Sequence, residues 1–200
     1  IIMVSEEFDS IFIHVPKCAG TSINAFLKSN GFTMKSLHQE KDGSSDNETG
    51  RYKIGAARRL KRAYSEREWS GYFKFAFVRN PWDRMVSSWR NRGKKYSELK
   101  DFVFAYPFED NARDTVWHSM PQCVHVCDDD GEPIIDHIAR FEHLQEDLEA
   151  ICDIIGIEPK ELPHRNKTER KPYQEYYDQE TIDRVAEIYK KDIEMFNYNY

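Results

Sequence analysis

Residues 11–22 read Ile11-Phe-Ile-His-Val-Pro-Lys-Cys-Ala-Gly-Thr-Ser22. The apolar run Ile11 to Val15 predicts a buried strand, Pro16 to Gly20 a tight turn, and Thr21-Ser22 the start of a helix. That helix carries Ile23, Phe26 and Leu27 at i, i+3, i+4 spacing and ends at Asn30-Gly31. Gly20 lets the backbone approach a ligand closely. Thr21 and Ser22 can cap the helix and donate hydroxyl hydrogen bonds. The N–H groups and dipole of a helix start favour a phosphate, and Lys17 adds a mobile positive charge.

About sixty residues on, a second strand-turn-helix appears: Phe75-Ala-Phe-Val-Arg-Asn-Pro-Trp-Asp-Arg-Met-Val-Ser-Ser-Trp89. Asn80 reads as the N-cap, Pro81 as the first helical residue, and Arg79 stands at the end of the strand, which is drawn from Tyr72 to Val78. The intervening chain holds a polar, turn-rich stretch from Glu40 to Gly50, expected to be a mobile surface loop. A basic helix is expected over Ala56 to Trp69. Further helices are expected at Pro81 to Arg92, Ser97 to Tyr106, Leu144 to Ile155 and near Glu180 to Ile193, with another strand at His137 to Phe141. Pro107 to Gln122 reads as an irregular connection, and Asp128-Asp-Asp-Gly131 as a turn between the short apolar runs Cys123 to Val126 and Pro133 to Ile135. Strands alternating with helices predict a parallel sheet with helices on its faces. In such sheets ligands bind beyond the carboxyl ends of the strands, where both motifs fall.

Taken together, the two motifs resemble those of the sulfotransferases that use 3′-phosphoadenosine 5′-phosphosulfate (PAPS). The first is similar to that family's 5′-phosphosulfate loop. The second is similar to its 3′-phosphate motif. The resemblance implies a three-layer α/β fold with a P-loop-like central parallel sheet, a single domain over residues 1–200, and PAPS as co-substrate with no metal required. It implies that Lys17, Cys18, Ala19, Gly20, Thr21 and Ser22 surround the 5′-phosphosulfate and that Arg79 and Ser87 meet the 3′-phosphate. His118-Ser-Met-Pro-Gln122, Arg140-Phe-Glu142 and the tail Leu162 to Tyr173 resemble the carbohydrate branch, and the glycine-rich C-terminal motif of the small-molecule branch is missing. A sugar hydroxyl is therefore the expected acceptor. By the same resemblance, Asn166, Lys167, Arg170 and Lys171 would fold over the 3′-phosphate or adenine, while Arg140 and Glu142 would pair structurally behind the nucleotide site.

Sulfuryl transfer aligns an acceptor oxygen with a leaving oxygen and stabilises charge as it shifts. A sulfuryl group carries less negative charge than a phosphoryl group, so lysine and backbone donors suffice. Lys17 is the candidate for charge stabilisation at the leaving phosphate. The acceptor needs a base, and a histidine neutral near physiological pH suits that task. Many carbohydrate sulfotransferases carry one some twenty residues before the second motif. Here there is none between His38 and His118. His38, beside the polar loop, and His118 are the two candidates, with Glu109 next. His14, drawn within the first strand, reads as a satisfied core histidine.

Two rival readings remain. A P-loop kinase needs lysine directly before a hydroxyl residue, whereas Lys17 precedes Gly20 by three positions. A binding module that holds nucleotide or sulfated glycan without turnover fits the missing histidine.

The composition is ordinary globular material, 40% hydrophobic and 14% aromatic. A net charge of −6 argues against general nucleic-acid binding. The charge is uneven: Arg51 to Arg67 holds seven Arg/Lys against Glu66, and Arg79 to Lys95 holds six against Asp83. The second run contains the 3′-phosphate motif, consistent with a local anion-attracting field. Four cysteines do not make a disulfide scaffold in a chain of this length. Cys123 and Cys127 lack a matching histidine pair for zinc, and Cys152 falls on an apolar helix stripe. No run reaches the length of a membrane-spanning helix. A cytoplasmic location is expected for a bacterial-type enzyme, and the Golgi lumen for one whose N-terminal anchor has been removed.

Overall fold

The computed structural model describes residues 2–35, 56–107, 113–162 and 170–200. His38, the Glu40 to Gly50 stretch, Glu109, Asn166 and Lys167 lie outside the described residues. Two short strands, β1 (Ile2–Ser5) and β2 (Ser10–Ile13), form an antiparallel hairpin in which Ile2 faces Ile13 and Ser5 faces Ser10. All eight residues are buried. The chain turns into α1 (Gly20–Ser29), then β3 (Thr33–Lys35), which pairs antiparallel with β1. After α2 (Ala56–Ala63) and α3 (Glu66–Gly71) comes β4 (Phe73–Val78), parallel to β2 with Phe12 opposite Phe75.

The second half begins with α4 (Pro81–Arg92), α5 (Leu99–Phe104), α6 (Arg113–Ser119) and α7 (Cys123–Val126). Next comes β5 (His137–Arg140), parallel to β4. Then follow α8 (Leu144–Ile155), α9 (Gln179–Ile188) and α10 (Lys190–Phe196). The strand order is β3-β1-β2-β4-β5. The centre of the sheet, β2, β4 and β5, is parallel as expected, and the β1–β2 hairpin and β3 extend it with antiparallel strands on one side. Ile2-Met-Val-Ser5 is short, and its pairing depends on a tight turn at Glu6 to Asp9, where Asp9 takes a positive φ of 42°. The carboxyl ends of the parallel trio, Ile13, Val78 and Arg140, gather at one edge of the sheet.

Local chemistry explains most element boundaries. Asn80 Oδ1 accepts from the N–H of Trp82 (3.1 Å) and of Asp83 (3.4 Å), and Pro81 occupies the first helical position of α4. Gly156, at φ 77°, closes α8. The basic helix expected over Ala56 to Trp69 is two helices. Ser65 stops the first and caps the second, because its hydroxyl accepts from Glu68 N–H while Glu68 Oε2 accepts from Ser65 N–H at 2.8 Å. The last helix is likewise interrupted at Tyr189. The connection expected to be irregular contains α6, and Cys123 to Val126 is a helical turn.

Two apolar clusters hold these elements together. Phe12, in ring contact with Phe75 and Phe77, belongs to the first, together with Ile23 and Leu27 of α1 and Leu148 and Ile151 of α8. Trp82, Met85 and Val86 of α4 meet Phe102, Val185 and Tyr189 in the second. Trp89 packs against that second cluster, so both tryptophans of α4 serve as packing groups. Burying such side chains is worth roughly 1.5–3 kcal/mol each.

Candidate functional site

The loop between β2 and α1 is held open by backbone strain. Lys17 (φ 70°) and Ala19 (φ 58°) both occupy the left-handed region, which is costly for residues with a Cβ. Ala19 contributes no side-chain cap to α1, and the first turn of α1 carries no acid. Its carbonyl accepts from Ser22 N–H at 2.9 Å and Ile23 N–H at 3.2 Å. Among the described residues, the N–H groups of Cys18, Ala19, Gly20 and Thr21 have no hydrogen-bond partner. Four successive unpartnered donors at a helix start suit an anion. Lys17 is partly exposed beside it, Thr21 is exposed and Ser22 is buried. The Cys18 side chain turns inward, with Sγ 3.3 Å from Gln122 Oε1. Burial pushes its thiol up to about 12, so Cys18 contributes backbone, not a nucleophile, to this loop.

Arg79 connects this loop to α4. Its Nη1 donates to the Lys17 carbonyl at 3.0 Å, and Nε and Nη2 both donate to Asp83 Oδ2, at 2.9 and 2.6 Å. The guanidinium also stacks on Phe141, 3.9 Å from the ring centroid. Asp83 Oδ1 accepts from Arg170, which brings the described part of the tail onto the second motif. A cleft of about 590 Å³ opens there, lined by Arg90, Arg170, Lys171, Glu175 and Tyr176. Arg170 Nη1 is buried without a partner among the described residues. Lys171 Nζ lies 3.5 Å from Glu175. Ser87 is partly buried on α4, and among the described residues its hydroxyl has no partner.

Gln122, noted in the sequence only as part of a motif, and Asp192 and Arg84, which sequence reasoning missed, hold this arrangement. Gln122 accepts from Arg79 N–H and donates to the Arg79 carbonyl, both at 2.8 Å. Asp192 is fully buried and accepts from the N–H groups of Gln122 (2.7 Å) and Cys123 (2.8 Å). Arg84, also fully buried, donates to the carbonyls of Pro16 (3.2 Å), His118 (3.4 Å) and Met120. The expected pairing of Arg140 with Glu142 is corrected: both engage Tyr198 instead. Arg140 lies over its ring at 4.7 Å, and Glu142 Oε2 accepts from its hydroxyl at 2.9 Å. Glu142 Oε1 also accepts from Asn80 N–H at 2.7 Å. These partners are far away in sequence. Only the cap at Asn80 and the Pro-Gln pair were visible as local patterns.

Two of the described histidines, His14 and His118, bear on the loop. His118 lies half-buried in the last turn of α6, its carbonyl accepting from Ser88 Oγ at 3.0 Å. His14 is not an interior strand residue. It follows β2, is half-buried, and packs its ring against Gly20. His14 is lowered to about 3, chiefly by burial, with His118 and Lys17 acting in the same direction.

A family model described as "Sulfotransferase family" matches residues 2–199. No curated protein and no solved structure matches the chain.

Proposed function

Because the chain belongs to the sulfotransferase family, we propose that it transfers a sulfuryl group from PAPS to a hydroxyl of a carbohydrate acceptor. The observation that carries this reading is the set of four unpartnered N–H groups from Cys18 to Thr21, at the start of an uncapped helix and joined to Arg79. Such a cradle suits a 5′-phosphosulfate, because fixed backbone donors need no reorganisation as charge develops. PAPS, when bound, supplies the activated sulfuryl group. Lys17 adds a flexible cation where negative charge grows on the leaving phosphate. Thr21 and Ser22 add hydroxyl donors on the first turn of α1.

Arg79 is consumed on three sides by Asp83 and the Lys17 carbonyl. Its task is therefore partly to hold the two motifs in register. Recognition of the 3′-phosphate is shared with Ser87 and with the cations of the adjoining cleft, Arg90, Arg170 and Lys171. The acceptor proton goes to His118 or His38. The resemblance of His118 to Gln122 and the tail to the carbohydrate branch supports a sugar acceptor, and a cationic cleft suits an anionic partner.

The test is incubation of the chain with labelled PAPS and a panel of neutral and acidic glycans, scoring sulfated product. Sulfated glycan is expected. Tight binding of 3′-phosphoadenosine 5′-phosphate with no product on any glycan would favour the binding-module reading instead.

A further inference from the structure

The glycine that opens α1 makes room for a particular ring. A Cβ built on Gly20 would lie 2.3 Å from both Cε1 and Nε2 of His14 and 2.8 Å from Cδ2. No real carbon sits that close to an imidazole, so any side chain at residue 20 would displace the His14 ring from this position. Backbone freedom is not what this position requires, since the positive-φ residues of this loop are Lys17 and Ala19. One turn further along α1, Asn24 Nδ2 stands 3.3 Å from His14 Nδ1. Residues 20 and 24 share a helix face: one leaves space for the ring, the other tethers a nitrogen. Phe12 stacks on the imidazole at 6.1 Å. The result is a slot built for a flat ring with one nitrogen fixed.

Such a slot orients the second nitrogen. In the neutral tautomer that accepts from Asn24 at Nδ1, the ring proton sits on Nε2. Nε2 lies against Gly20, the first residue of α1 and one of the four residues, Cys18 to Thr21, whose N–H groups are unpartnered among the described residues. Among the described residues, Asn24 is the only hydrogen-bond partner of the ring.

We propose that His14 is a further donor of the anion cradle, its Nε2–H hydrogen-bonding an oxygen of the 5′-phosphosulfate beside Lys17 and the loop N–H groups. This rests on the sulfotransferase reading of the same site. His14 is lowered to about 3, mainly by burial, so it stays neutral and does not repel Lys17. A neutral imidazole held in this way polarises an oxygen without becoming an acid itself. The role differs from that of the acceptor's base, which must take up a proton.

The test compares binding of 3′-phosphoadenosine 5′-phosphate with that of adenosine 3′-monophosphate, which lacks the 5′ group. Calorimetry is run on the unmodified chain, His14→Phe and His14→Gln. Phe keeps a flat ring in the slot without a donor, and the Gln amide reaches about as far as Nε2. The expected result is a loss of about 10-fold or more for the bisphosphate in His14→Phe. Affinity for the monophosphate should stay unchanged, and His14→Gln should restore most of the loss. In parallel, ¹⁵N NMR of the unmodified chain reads the ring directly, whether or not the variants fold. Nε2 should carry the proton, and its resonance should move when the bisphosphate is added. Unchanged bisphosphate affinity in His14→Phe would overturn the proposal alone, as would an Nδ1-protonated ring. Failure of the unmodified chain to bind either nucleotide would overturn it together with the donor assignment.

Discussion

The carbonyl oxygen of Lys17 accepts a hydrogen bond from Nη1 of Arg79 at 3.0 Å. The lysine of the first motif and the arginine of the second therefore hold each other through a main-chain atom that substitution at residue 17 leaves in place. Structural and chemical roles can be separated by choosing which of the two side chains to change.

Arg79→Ala should damage both stability and nucleotide binding. It removes two bonds to the buried carboxylate of Asp83, leaves that group to Arg170, and breaks the bond to the Lys17 carbonyl. Breaking a buried pair of this kind costs about 3 kcal/mol, which urea denaturation will read. Calorimetry should show a large loss of preference for 3′-phosphoadenosine 5′-phosphate over ATP. Retained preference would mean that Ser87 and the cleft cations recognise the 3′-phosphate without Arg79.

Lys17→Ala keeps the carbonyl that meets Arg79, so folding and bisphosphate binding should change little. Turnover should fall far more than binding if the ammonium acts on charge that develops during transfer. Single-turnover rates with labelled PAPS, set beside Kd, test this split. The same assay in EDTA should show undiminished turnover.

Replacing His118 by Asn removes the imidazole but leaves the carbonyl that Ser88 and Arg84 grip. If His118 takes the acceptor proton, the rate should fall roughly 10²–10⁴-fold with bisphosphate affinity nearly intact. The pH–rate profile should lose its acidic limb. A near-normal rate in this variant moves the role to His38, for which the equivalent substitution is the next measurement.

His14 also predicts how stability follows pH. An unfolded histidine titrates near 6.5, whereas His14 in the fold is lowered to about 3. Between these values the unfolded chain holds a proton that the folded chain does not. Stability from this site is therefore complete above about pH 6.5 and is lost as pH falls toward 3. His125, fully buried against Trp117, is lowered by burial too and acts in the same direction. Urea midpoints measured from pH 7 to 4 should decline, and His14→Phe should flatten the curve.

All four cysteines are free and buried. Burial pushes Cys127 and Cys152 up to about 11 and Cys18 to about 12. Iodoacetamide at pH 8 should label none of them in the native chain and all of them in urea. Rapid native labelling at Cys18 would mean that the loop opens far more readily than its packing implies.

Local signals were legible in the sequence. The turn before α1, the Asn80-Pro81 start of α4 and the end of α8 at Ile155 are written in adjacent residues, and the structure places them where those residues predict. The Ser65–Glu68 capping box was equally local, yet the basic stripe around it read as one continuous helix. What stayed hidden depends on partners distant in the chain. Ile2 to Ser5 becomes a strand through its turn and its register with β2. Arg84 looks like one more cation in a basic run until Pro16, His118 and Met120 close around it. His14 read as core because the apolar run Ile11 to Val15 drew it inside the first strand. Its slot exists only once α1 lays Gly20 and Asn24 across the end of β2.

The cap of α4 also depends on chain made long after it. Asn80 Nδ2 donates to the carbonyl of Asn199 at 2.8 Å across 119 residues, and Tyr198 reaches back to Glu142, which accepts from Asn80 N–H. At ribosomal speeds of 5–20 residues per second, residue 199 follows residue 80 by on the order of 10 s. During that interval β2, β4 and α4 exist without the residues that complete their end of the sheet. The nascent anion site is then an exposed set of strained turns and unpaired donors. Competence for nucleotide should arrive abruptly, when the segment around Tyr198 clears the exit tunnel and docks.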